Sequence, residues 1–245
     1  LTVVLWQTTS LWGQPFVAAE IWASRHPASP RAQQFLGRHY MLLGEVDKAY
    51  TLLARTAADN PRHIDLAMQA LQLAACHAGR EVKVQQHLAQ VNARLANGLF
   101  STAAIEVLSI LLNFRQQGRC TALSDADLHH MADSLLSNPA YQAGNARHLL
   151  HHIKAQLYRQ QKSLDGTVRH LEEAFNARPE IGTAVLIVGT FLSGGLREDA
   201  LAFIARARSY APTRPVLRTQ WMSLLDQLQQ QIEAQLSKER ADRPI

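Results

Sequence analysis

Residues 29–61 read "SPRAQQFLGRHYMLLGEVDKAYTLLARTAADNP". Apolar residues recur at helical spacing through Leu36, Tyr40 and Leu43, and again through Ala49, Leu52 and Leu53. Gly37 interrupts the first run, although glycine inside a helix costs about 1 kcal/mol relative to alanine. Gly44 follows seven residues later, between the two runs, and Pro61 closes the stretch because proline cannot continue a helix. The stretch therefore reads as two helices joined by a glycine turn, with Gly37 tolerated for a packing reason.

The same reading extends along the chain. Strand-like alternation is nearly absent, and breakers at Pro15, Pro27, Pro30, Gly79, Gly98, Gly118, Pro139, Gly144, Pro179, Gly195, Pro212 and Pro215 cut it into helices of about 12 to 20 residues. Tyr40, Ala49, Leu53 and Pro61 have the same separations as Tyr158, Thr167, Leu171 and Pro179, and as Phe191, Ala200, Ile204 and Pro212. A degenerate copy runs through Trp6, Pro15, Ala19 and Pro27. Between residues 62 and 144 the pattern is stretched but still helical, with hairpins expected over 63–78 with 81–96 and over 99–117 with 125–137. Asp125 and Asp127 read as N-cap and first-turn residues opening a helix after Ser124.

With Leu36-Gly37, Tyr40, Ala49 and Pro61 in one 33-residue frame, the segment resembles the tetratricopeptide repeat, TPR. The resemblance implies an all-α, right-handed superhelical solenoid of helical hairpins. It divides a single solenoid domain, 1–245, into a degenerate hairpin (1–28), a clear repeat (29–61), irregular hairpins (62–144), two further repeats (145–179 and 180–212), a capping helix (213–240) and a tail (241–245). Gly37 is expected to face the second helix of its hairpin, with Ala49 at the crossing. A polar-faced cap suits a solenoid, whose last repeat otherwise exposes an apolar face.

A second resemblance is carried by Trp6, Leu11-Trp12, Pro27, Ser29-Pro30-Arg31-Ala32 and Leu36-Gly37. This stretch is similar to the one following the last membrane span in bacterial polytopic proteins of glycosyltransferase-like or glycan-polymerase-like type that end in a TPR module. It implies a periplasmic or otherwise extracytoplasmic domain attached to a membrane-spanning region upstream of Leu1, with a cytoplasmic location as the alternative. The chain begins without methionine, which reads as a fragment of a longer protein.

Chemistry-bearing patterns are few. Lysine and arginine exceed aspartate and glutamate by 25 to 20, but no run gathers that charge, so no nucleic-acid partner is expected. Cys76 and Cys120 each lie in or next to an apolar run and read as unpaired, half-buried thiols. No apolar stretch reaches membrane-spanning length. His129-His130 and the trio His148, His151 and His152 are the concentrated ligand types. His148 and His152 share a helix face at the zinc-ligand spacing, but no acid lies between them, so solvated or hydrogen-bonded histidines and no metal are expected. Phosphate loops, nucleophile elbows and CxxC pairs are missing from the sequence, and Gly194-Gly195 reads as a hairpin turn. No cofactor is expected, and the chain reads as a non-enzyme.

What remains is a surface. The TPR resemblance implies that the first helix of each pair lines a concave groove holding a peptide or a partner helix. By frame that face comprises Arg31, Gln34, Arg38, Met41 and Leu42 in the first clear repeat. Gln69 and Leu73 follow in the next, then His152, Gln156, Arg159 and Gln160, and finally Val185 at an apolar end. The groove is basic and amide-rich, which suits a protein partner carrying acids. The expected function is a protein-interaction module; the alternatives are an extracytoplasmic accessory domain of a membrane-bound glycan-processing enzyme and a helical sensor domain of a regulator.

Overall fold

The computed structural model describes residues 13–77 and 81–241. Among these the chain is all α: twelve α-helices, one 3-10 turn and no strand. The chain divides after Gln142 into two compact units.

The first unit contains α1 (Pro15–Arg25), α2 (Pro30–Leu42), α3 (Val46–Asp59), α4 (Ile64–Cys76), α5 (Glu81–Leu95), α6 (Thr102–Gln116), α7 (Asp125–Ser137) and the 3-10 turn Pro139–Tyr141. Helices pack as sequential hairpins, α2 on α3, α4 on α5 and α6 on α7, while α4 also touches α6 and α5 touches α7. In these last two hairpins the first helix thus stacks on the first and the second on the second, which is TPR-like construction, while α3 packs on α4. Trp6, Leu11 and Trp12, on which the first hairpin and the membrane-protein resemblance partly depend, lie outside the described residues.

Gly37 has the close neighbour its sequence context requires. A Cβ added there would stand 3.0 Å from Cδ2 of Leu53 on α3, and Leu53 is fully buried. Ala49, one turn before Leu53, is also fully buried. In the later repeats Ala155 and Val188 occupy the frame position of Gly37, facing the positions of Leu171 and Ile204, and all four are buried.

One turn recurs in four hairpins. After α2, the Gly44 N–H donates to the Met41 carbonyl (3.1 Å) and the Glu45 N–H to the Tyr40 carbonyl (2.8 Å), with Gly44 at φ +76°. This is the Schellman closure of a helix, with its left-handed residue just past the end. After α6 it is repeated by Gly118 (φ +73°) and Arg119 bonding back to Arg115 and Phe114. The second unit repeats it with Gly195 (φ +76°) and Leu196 bonding back to Leu192 and Phe191. The fourth copy, after Tyr158, places Lys162 at the left-handed position with φ +56°.

Cys76 and Cys120, expected as unpaired thiols, are instead joined in a disulfide across 44 residues of sequence. Stacking of α4 on α6 brings the end of α4 beside the loop that follows α6, a proximity that no local pattern encodes. The same loop is tied by an Arg115–Asp125 ion pair.

The second unit contains α8 (Gly144–Gln160), α9 (Leu164–Ala177), α10 (Ile181–Ser193), α11 (Arg197–Arg208) and α12 (Pro215–Ala241), each packed on the next. Its core gathers Leu171, Phe175, Ile187, Val188, Phe203 and Ile204. The expected cap is α12. It lays Trp221, Leu225 and Ile232 on that core along one helical stripe, with the Trp221 indole N–H donating to the Ala207 carbonyl at 3.0 Å.

Candidate functional site

In the second unit two confluent clefts open between α8 and α10 over α9. The first, about 160 Å3, is lined by His152, Ala155 and Gln156 of α8, Leu171 of α9, and Leu186 of α10, with Arg159, Thr167 and Thr190 at its far end. The second, about 190 Å3, shares Arg159, Thr167 and Thr190 and adds Lys162, Ser163, Leu164 and Ser193. Every charged residue lining the pair is a cation, and neither Arg159 nor Lys162 takes part in an ion pair among the described residues. The hydroxyls of Thr167, Thr190 and Ser193 donate to the carbonyls of Ser163, Leu186 and Thr190, at 2.7, 2.7 and 2.8 Å. Arg159 and Lys162 are thus the charged donors available to an incoming anion.

Of the residues expected here, His152, Gln156 and Arg159 line the clefts, and Gln160 is exposed at the end of α8. Val185 is half-buried and lies off both linings; its neighbour Leu186, 45% exposed, forms the apolar wall instead. Lys162 and Leu186 escaped the sequence reading. The signal for Lys162 was nonetheless present, since it stands four residues after Tyr158 just as Gly44 and Gly195 stand four after Tyr40 and Phe191.

On the first unit, Arg31, Arg38, Met41 and Leu42 form one face of α2, with Leu42 72% exposed. Gln34 on that face donates Nε2–H to Oδ2 of the buried Asp65 at 2.9 Å, tying α2 to α4. The continuation onto α4 is closed. Gln69 is half-buried, and Leu73, expected in the groove, is 1% exposed and belongs to the core. Eleven of the thirteen residues of α4 are buried, because α3, α5 and α6 all pack on it. On another side of this unit a cleft of about 680 Å3 opens among α1, α2 and α3, with an apolar base at Leu36, Tyr40 and Leu52 and charges at Glu20, Arg55 and Asp59.

The histidines are engaged locally. His148 donates Nδ1–H to the Ala174 carbonyl at 3.0 Å and turns Nε2 toward Glu180, 3.4 Å from Oε2. His152 Nε2 meets the Thr183 hydroxyl at 2.9 Å, and His151 Nδ1 meets His170 Nδ1 at 3.1 Å. Burial holds the His152 pKa below the ordinary value, with the neighbouring His148 adding to the effect and Glu180 opposing it. Among the described residues no three His, Cys, Asp or Glu side chains are arranged to hold a metal ion. Among the same residues no helix is long and apolar enough to cross a membrane.

No protein-family model matches the chain, and no curated protein matches it. Among solved structures it is similar to a thermophilic TPR protein of Thermus thermophilus, at 20% identity over 91% of this chain and 94% of that one, with a TM-score of 0.34. It is also similar to the assembly chaperone of RpL4, Acl4, at 14% identity over 97% of each chain, with a TM-score of 0.38.

Proposed function

We propose that the chain is a non-enzymatic protein-interaction module that holds a segment of a partner protein against the exposed faces of its inner helices. The reading rests above all on the cation-lined cleft between α8 and α10, whose charges are not neutralised within the fold. The α2 face, with Arg31, Arg38 and the exposed Leu42, offers the same combination of cations and apolar surface. A helical array with exposed faces on α2 and between α8 and α10 supplies a surface for binding.

A peptide-display selection on the full chain tests this. Selected ligands should bind at least tenfold more weakly to Arg38→Glu or Arg159→Glu and with unchanged affinity to Arg55→Glu, which lies in the cleft among α1, α2 and α3. Loss on Arg55→Glu alone would overturn the assignment and move the working surface to that cleft.

A second reading, an extracytoplasmic accessory domain of a membrane-bound glycan-processing enzyme, is favoured by the Cys76–Cys120 disulfide, since such bonds persist in oxidising compartments. Thiol trapping in intact cells of the source organism, followed by a mass-shift assay, should find both cysteines oxidised. Reduced cysteines in the cell would remove the support for that location.

A further inference from the structure

We infer that the second unit's clefts recognise an extended segment that carries an aliphatic side chain and an aspartate or glutamate two positions apart. The inference rests on the groove reading above and gives it a ligand chemistry.

Three observations converge on this chemistry. The 160 Å3 cleft has an apolar floor and wall in Ala155, Leu171 and Leu186, and its volume suits a side chain rather than a whole helix of about 10 Å diameter. The adjoining 190 Å3 cleft has Arg159 and Lys162 in its lining and no acid. On each of α8, α9 and α10 the two linings are offset by about three to four residues, hence roughly 5–6 Å at 1.5 Å per residue. Alternate side chains of an extended chain, which point to the same side, are about 6.6 Å apart. One backbone can therefore fill both clefts at once, with its apolar side chain toward the middle of α8 and its acid toward the end of that helix.

The third observation is conformational. Lys162 occupies the left-handed position that Gly44, Gly118 and Gly195 occupy in the other three copies of the turn. A side chain in that conformation is strained whereas glycine is not. A lysine at a site where the fold alone favours glycine is explained by what its ammonium does in the cleft, the usual relation between backbone strain and a binding site.

The probe is a fluorophore-labelled peptide, Gly-Ser-Leu-Ser-Glu-Ser-Gly, acetylated and amidated so that neither terminus is charged, titrated into the full chain by fluorescence anisotropy. It should bind saturably. Replacing its Glu with Lys or its Leu with Ser should weaken binding tenfold or more, and so should placing the two residues next to each other, where they point to opposite sides. Lys162→Gly should weaken binding by a similar factor while raising the melting temperature. Arg159→Gln should weaken it with the circular dichroism spectrum unchanged. High salt should shrink the contribution of Glu, because exposed ion pairs are screened over about 8–10 Å at 0.1–0.15 M. Equal binding of the peptide with the two residues adjacent, unchanged affinity on Lys162→Gly, or preference for a helical peptide with the two residues four apart would overturn the inference. Failure of this peptide while display-selected ligands still depend on Arg38 or Arg159 would overturn this motif and leave the groove reading standing; loss of both would overturn both.

Discussion

A leucine at position 37 would drive its side chain into Leu53, which already stands 3.0 Å from where even a Cβ would begin. Gly37→Leu should therefore cost about 1 to 3 kcal/mol through overpacking, read as a lower urea midpoint with an unchanged slope. Lys162→Gly should act in the opposite sense, stabilising by about 1 kcal/mol as the left-handed residue loses its Cβ. His87 gives stability a pH dependence. Its Nε2 lies 2.7 Å from the Tyr50 hydroxyl, and burial, aided by the Lys83 charge and opposed by a Gln90 hydrogen bond, lowers its pKa. His152 is shifted the same way. A histidine that resists protonation in the fold but not in the unfolded chain leaves stability whole above about pH 6.5 and erodes it as pH falls from there toward the lower folded values. Urea melts at pH 7.5 and 5.5 should show this loss, and Tyr50→Phe with His87→Phe should reduce it. The role of Gly37 was legible in the sequence because a helical run elsewhere free of glycine carried one at the face of a neighbour. The strain at Lys162 was not, since φ is invisible in a letter code unless the repeat frame is laid over it.

Helix α7 shows how far an element can be read from its first residues. Ser124 accepts from the Asp127 N–H at 3.1 Å, and the Asp127 carboxylate takes the Ser124 N–H at 2.8 Å, closing a reciprocal capping box. Ser124→Ala should cost about 1 kcal/mol, measured as a lower melting temperature, with Ser124→Asp largely restoring it. That helix start was legible to within one residue because caps are local chemistry, the cap being Ser124 and not Asp125. The groove on α4 was misread for the opposite reason. "IDLAMQALQLAAC" carries so few polar residues that it signals burial on all sides, and the frame placed Leu73 on an open face only because it assigned every first helix the same exposure. How many neighbours cover a helix depends on tertiary packing, here α3, α5 and α6 together. The same limit put Val185 rather than Leu186 at the cleft, since a one-residue change of face is about 100° on a helix.

At the scale of the whole chain, the Cys76–Cys120 bond lies entirely within the first of the two units. Closing a loop of 44 residues removes unfolded-state entropy equivalent to about 2–4 kcal/mol. Reduction, or Cys76→Ser with Cys120→Ser, should lower hydrogen-exchange protection across α4, α6 and α7 and leave α8 to α11 unchanged. Equal loss in both units would show that the bond acts on the molecule globally. The helical hairpins were legible from breakers and period, while the bond was not, because two cysteines beside apolar runs look alike whether paired or free. The bond also imposes an order on the protein's making. A chain emerging amino terminus first presents Cys76 about 2 to 9 seconds before Cys120, at synthesis rates of roughly 5–20 residues per second. Throughout that interval the thiol at the end of α4 is open to whatever other cysteine or oxidant it meets. Yield in a heterologous host should accordingly depend on disulfide isomerase supply, and the mispaired by-product should be an intermolecular dimer through Cys76.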